Sequence, residues 1–163
     1  MVYVPTFALY IFALGIEEQI KNKPFDNEQV KANINLLYTA NWLYNKISAV
    51  LKPYNLTHEQ FNVLRILRGS HPRCMCQKEV LSRMISPQSN ITALMKKLIN
   101  KGFVSIIKSE ADKREYVISI TDEGLVLLKK LDAEIKPQMA ELLKLSVSES
   151  FHLNSLLDKL RGD

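Results

Sequence analysis

The sequence predicts a mainly α-helical protein with one small β-hairpin, an α+β arrangement. Three observations predict it. Apolar residues recur at helical spacing through most of the 163 residues. Two short stretches, 103–108 and 116–120, change to strand character, and the second alternates cleanly as Tyr-Val-Ile-Ser-Ile. Between them stands SEADKREY, Ser109 to Tyr116, a charged tip that suits the turn of a hairpin. The composition, 47% hydrophobic and 24% charged with only five Gly and six Pro, is globular and excludes disordered or fibrous chains. The length suits one domain, or one small domain joined to helical extensions.

The elements follow in order. Val2 to Ile16 is nearly all apolar, but it is short for a membrane span, Pro5 interrupts it, and it has neither a basic leading region nor a clear small-residue cleavage site. A helix packed on the body or on a partner chain is expected there, with no membrane insertion. Asp26 to Leu51 places Val30, Ile34, Leu37, Leu43, Ile47 and Leu51 on a broad apolar helix face that Lys52-Pro53 ends. A second helix opens at Thr57, where Thr57 and Gln60 have the spacing of a capping box, and runs through Phe61, Leu64 and Leu67 to Gly69. A short third helix, Gln77 to Ile85, offers Val80, Leu81 and Met84 to the core. Ser86-Pro87 reads as an N-cap followed by proline in the first helical position, so the fourth helix is expected from Pro87 to Lys101, with Gly102 as its terminating glycine.

After the hairpin, Thr121 caps a helix bearing Leu125, Leu127, Leu128, Leu131 and Ile135. Pro137 is expected to bend or interrupt that helix before Met139, Leu142 and Leu143. A last helix carries Phe151, Leu153, Leu156, Leu157 and Leu160. The expected organisation is an apolar, helical extension over 1–25, an N-terminal dimerisation helix over 26–55, a lobe over 56–121 and C-terminal dimerisation helices over 122–163. The terminal helices carry more apolar surface than one lobe can cover, and a second copy is the simplest cover.

Two short helices joined by a tight turn and followed at once by a hairpin make a helix-turn-helix with a wing. Charge distribution says what it faces. From Thr57 to Tyr116 there are eleven Lys or Arg against five Asp or Glu, whereas the rest of the chain holds eleven against twelve. The excess positive charge lies in one segment, as expected of a surface that meets phosphate. The apolar stripe Ile91, Leu94, Met95, Leu98 and Ile99 turns Gln88, Ser89, Thr92, Lys96 and Lys97 to the other side. Asn90 belongs to the same polar set, and Ala93 allows close approach. Such a face suits a major groove, and Lys113 and Arg114 at the wing tip suit the adjacent minor groove. Asp112 is placed to support Arg114 by accepting from its guanidinium or from the turn backbone. The predicted partner is double-stranded DNA.

The run from Leu56 through Gly124 resembles the MarR-type bacterial transcription regulators. It does so in LTHEQFNVLRIL, QKEVLSRM, SPQSNITALMKKLINKGFV, the Asp112-x-Arg114 wing and Ile120-Thr121-Asp122-Glu123-Gly124. The resemblance implies an obligate homodimer, triangular in outline, whose terminal helices interlock while two winged lobes read half-sites of a pseudo-palindrome; the two cysteines, too few for a disulfide framework, suit a reducing, cytoplasmic compartment. It maps the recognition helix onto Pro87 to Lys101 and the wing arginine onto Arg114, and it implies repression by blocking polymerase. Many members carry an arginine in the middle of the recognition helix. This chain has Ala93 there, so its preferred operator is expected to differ.

The resemblance also implies a pocket for a small phenolic or lipophilic effector between lobe and dimer helices, with Tyr38, Trp42, Tyr44, His58 and Phe61 on the corresponding helices. Aromatic residues at helical spacing equally suit a core. Cys74 and Cys76 offer a redox alternative. Cys76 precedes the third helix as an N-cap, a position that favours thiolates, although buried inert cysteine is the commoner fate. His58, His71 and His152 are scattered, so no metal site is expected, and no cofactor motif is present. With no glycine-rich phosphate loop, metalloprotease pair or nucleophile elbow, an enzyme is not expected. The rival reading is a winged helix that only docks proteins.

Overall fold

The computed structural model describes residues 15–86, 90–108 and 116–162. The chain divides into two compact units, Met1–Lys46 and Ile47–Asp163. In the first, a single turn α1 (Ile16–Gln19) precedes α2 (Glu28–Leu51), whose last residues enter the second unit. Asn27 Oδ1 accepts from the backbone N–H groups of Gln29 (2.7 Å) and Val30 (3.0 Å), satisfying donors that the open end of α2 leaves without helical partners. Lys31 Nζ meets Glu17 at 2.8 Å, and the Tyr38 hydroxyl donates to Gln19 Oε1 at 3.2 Å.

The second unit continues through a 3-10 turn (Lys52–Tyr54) to α3 (His58–Ser70), β1 (Met75–Cys76), α4 (Gln77–Ser82) and α5 (Ile91–Asn100). The hairpin β2 (Val104–Lys108) and β3 (Tyr116–Ile120) follows, then α6 (Asp122–Leu143) and α7 (Val147–Arg161). The sheet order is β1-β3-β2, antiparallel throughout, with Met75 opposite Ile118 and Val104 opposite Ile120. Strand β1 is absent from the sequence reading, because two residues are too few to display an alternation.

The core of this unit gathers Leu51 from α2, Val63, Leu64 and Leu67 from α3, Val80 from α4, Leu98 from α5, Ile118 from β3, and Leu128 and Leu131 from α6. Burying each such side chain contributes roughly 1.5–3 kcal/mol.

Three expectations are not met, the first being the end of the third helix: α4 stops at Ser82, with Arg83 as its C-cap, and does not reach Ile85. Helix α5 starts at Ile91, not Pro87, because Asn90 is non-helical (φ −114°, ψ 54°) and caps it, so Ser86 is not its N-cap. Helix α6 runs unbroken through Pro137. Lys136, Pro137 and Gln138 are exposed, as is Ala133, whose carbonyl the proline leaves without a helical donor, so water can satisfy it.

Candidate nucleic-acid interface

The second half of the helix-turn-helix, α5, is fixed at both ends. At its start Asn90 Oδ1 accepts from the Ala93 N–H at 3.1 Å. At its end Gly102 turns left-handed (φ +74°), which costs glycine little. Just before that glycine, Lys101 reaches back across α3: its ammonium donates to the Asn55 carbonyl and to Gln60 Oε1 (3.3 Å). Burial, and secondarily the positive charge of Lys97, pushes the Lys101 ammonium below the usual lysine range. Gln60 is itself buried and completes the Thr57 capping box of α3, so the polar contact of Lys101 sits on a rigid base.

Between these ends Ile91, Met95 and Leu98 face the core while Thr92, Lys96 and Lys97 are exposed and Ala93 is half-buried. The preceding helix α4 braces this face. Glu79 Oε2 accepts from the Cys76 N–H at 2.8 Å, and its other oxygen meets Arg73 at 2.9 Å. The Arg73 hydrogen bond, followed by that backbone bond, holds the Glu79 carboxyl below the usual carboxylate range. Gln77 Nε2 donates to Thr92 Oγ1 at 2.9 Å. In the turn between the two helices, the Ile85 N–H donates to Asn62 Oδ1 at 3.0 Å, tying that turn to α3.

The strands at the base of the wing pair from Val104–Ile120 out to Lys108–Tyr116, and the Ser105 and Ser119 hydroxyls bond across them at 2.8 Å. Of the residues the sequence singles out for DNA, Asn90, Thr92, Ala93, Lys96 and Lys97 lie together on α5 or its cap. Gln88, Ser89, Asp112, Lys113 and Arg114 lie outside the described residues. Gln77 and Lys101 are polar partners of α5 that sequence reasoning missed. Their acceptors lie 15 and 41 to 46 positions away, and spacing along one helix cannot show such pairs.

Of the residues the resemblance assigns to an effector, Tyr38, Trp42 and Tyr44 stand on α2 in the first unit. His58 and Phe61 stand on α3 in the second, where His58 Nε2 is 3.0 Å from Ser48 Oγ and Phe61 is buried beneath the Arg65 guanidinium. Cys76 is the N-cap of α4 as expected, and both cysteines are free thiols and half-buried. Among the described residues no group of His, Cys, Asp or Glu could hold a metal ion, and no helix is long and apolar enough to cross a membrane.

Residues 43–131 match the profile of the family described as transcriptional regulator SarA/Rot. The HTH-type transcriptional regulator MgrA of Staphylococcus aureus is 31% identical over 126 residues, which cover 76% of this chain and 84% of MgrA. PapX of Escherichia coli, also an HTH-type transcriptional regulator, is 26% identical over 61% of each chain. Among solved structures, a cysteine-to-serine variant of E. coli MarR complexed with operator DNA superposes with a TM-score of 0.70 at 22% identity, covering 85% of this chain and 99% of that one. S. aureus MepR in a DNA complex superposes at 0.69 with 16% identity, covering 80% of this chain and 94% of that one. These structures share the fold, and the family profile and MgrA add descent: the chain belongs to the SarA/Rot family of transcriptional regulators, built on the MarR-like winged-helix fold.

Proposed function

We propose that this regulator binds double-stranded DNA sequence-specifically as a homodimer, placing α5 in the major groove and the 109–115 wing in the flanking minor groove of each half-site. The observation that carries this is the division of α5: Thr92, Lys96 and Lys97 exposed on one side, Ile91, Met95 and Leu98 buried on the other. Supporting it are the concentration of positive charge between Thr57 and Tyr116 and the winged helices of the same fold that have been solved with DNA, MepR and MarR. Gln88, Ser89, Asn90 and Ala93 complete the α5 contact surface, with Lys113 and Arg114 on the wing and Asp112 as support for Arg114. The family and relatives are transcription regulators, not enzymes. The regulator acts in the cytoplasm as a repressor, by excluding polymerase from a pseudo-palindromic operator. It is released by a small phenolic or lipophilic ligand or by oxidation at Cys76. A second copy covers the apolar residues that α2 and α7 leave exposed, among them Leu37, Phe151, Leu156 and Leu160.

The test is a fluorescence anisotropy titration against the upstream DNA of its own gene, at two salt concentrations, with a scrambled duplex as control. Tight, salt-sensitive binding that prefers the native duplex is expected, and effectors are then screened by loss of anisotropy. Equal, weak binding to every duplex, including a pool of random ones, would leave a winged helix that docks a protein.

A further inference from the structure

We propose that the stem of the hairpin is a further DNA contact: Lys108 meets a phosphate, and Tyr116 and Ile106 pack on the deoxyriboses of the backbone strand that runs between the two grooves. The proposal rests on the DNA-binding reading given above and adds to it residues of the β-strands, below the wing tip.

The register of β2 and β3 carries it. Val104, Ile106 and Lys108 alternate onto one face of the hairpin, opposite Ile120, Ile118 and Tyr116. At the root this face is core, where Val104, Ile118 and Ile120 are buried in one cluster with Met95 and Leu98 of α5. Toward the tip the burial stops. Ile106 is 46% exposed although it stands opposite buried Ile118, Tyr116 is 56% exposed, and Lys108 beside it is exposed. One continuous face thus begins packed with α5 and ends as an open apolar and basic patch.

The charge of that patch is uncompensated. Arg68 and Arg73 of the same unit are held by Asp132 and Glu79, whereas Lys108 enters no ion pair among the described residues. Its ammonium is therefore available to an anion outside the chain.

The chemistry of the occupant follows. With α5 in the major groove and the tip in the adjacent minor groove, one sugar-phosphate strand must pass between them, along the face that joins them. That strand alternates phosphate anions with deoxyriboses whose C–H edges are apolar. A lysine beside a tyrosine and an isoleucine matches the alternation, the ammonium pairing with phosphate while the two larger side chains cover sugar. Contacts of this kind carry no base information, so they raise affinity for every sequence alike.

The experiment uses an operator selected by the wild-type protein from a pool of random duplexes. Hydroxyl-radical cleavage of the bound duplex reads the exposure of each deoxyribose, and wild type is expected to protect sugars on the strand between the two grooves. Tyr116→Ser and Ile106→Thr should restore cleavage there with an unchanged salt slope, and Tyr116→Ser should weaken binding about tenfold. Lys108→Met should lower the salt slope by about one on operator and random duplexes equally. Ile107 is exposed on the opposite face, which it shares with Ser105, Val117 and Ser119, so Ile107→Thr should change neither footprint nor slope. Thermal melts of all variants separate these effects from loss of the fold.

A salt slope unchanged by Lys108→Met, or sugars still protected in Tyr116→Ser, would overturn the proposal and leave the DNA-binding reading standing. An effect of Ile107→Thr as large as that of Ile106→Thr would do the same. Failure of wild type to bind any duplex would overturn both.

Discussion

Thr121 shows how much one residue can join. Its hydroxyl donates to the Gly102 carbonyl (2.7 Å) and accepts from the Gly124 N–H (3.1 Å), while its own N–H donates to the Phe103 carbonyl (3.1 Å). The end of α5, the residue that leads into β2 and the start of α6 thus meet on one threonine. Gly124 makes the meeting possible, since a Cβ there would lie 2.5 Å from the Phe103 carbonyl oxygen and 2.7 Å from Ile120 Cγ1. Gly124→Ala is therefore expected to destabilise the fold by about 1–3 kcal/mol, seen as a lower melting temperature. The sequence shows Thr121 as a cap, because a cap and its acceptor are neighbours in the chain. It shows no reason for Gly124, because the backbone that excludes a side chain there belongs to Phe103. Glu79 supplies a pH test at the same scale. Its carboxyl titrates below the usual range when folded, so the stability it contributes is present above that usual range and lost as pH falls through the depressed one. The Cys76 amide should lose protection from hydrogen exchange over that acid interval, and Glu79→Ala should remove the protection at every pH.

At the scale of elements, α5 is steered from its C-terminal end as well as from the face it presents. Lys101 donates to Asn55 and Gln60, which makes it a strut between α5 and the start of α3. Lys101→Met is expected to cost about 1 kcal/mol of stability and to weaken DNA binding with an unchanged salt slope. A slope reduced by about one would instead make Lys101 a phosphate contact. Most helices were legible from periodicity and caps: α2, α3 and α7 occur where their apolar spacing and flanking residues put them. The start of α5 was not. Ser86-Pro87 and Asn90 both have the chemistry of a helix start, and the chain uses the second, with Asn90 non-helical and its side chain accepting from the Ala93 N–H. Pro137 does not interrupt α6 for a related reason, since whether proline breaks a helix depends on whether the carbonyl it abandons can reach water. Of the candidate site, the polar face of α5 was legible because it follows from one helical period. Its braces, Gln77 and Lys101, were not, because they are supplied by tertiary packing.

For the whole molecule, the exposed apolar residues of α7 lead to the sharpest prediction. Val147 is 90% exposed, Phe151 68% and Leu160 67%, more apolar surface than one helix of a monomer normally leaves in water. Replacing Phe151 and Leu156 together by Asp should give a monomer in sedimentation while the lobe still melts cooperatively. The same variant should lose most of its operator affinity, because each half-site is then gripped alone. The short strand β1 has a reach beyond its two residues. It pairs with β3, the strand that leaves the wing tip, and runs without a break into α4, which braces α5. The base of the hairpin and α5 are thereby tied into one frame. On the proposed DNA-binding reading, the deep, narrow major groove of A-form RNA cannot admit α5. A duplex RNA carrying the operator sequence should therefore fail to compete, rejected by groove shape and not by any single side chain.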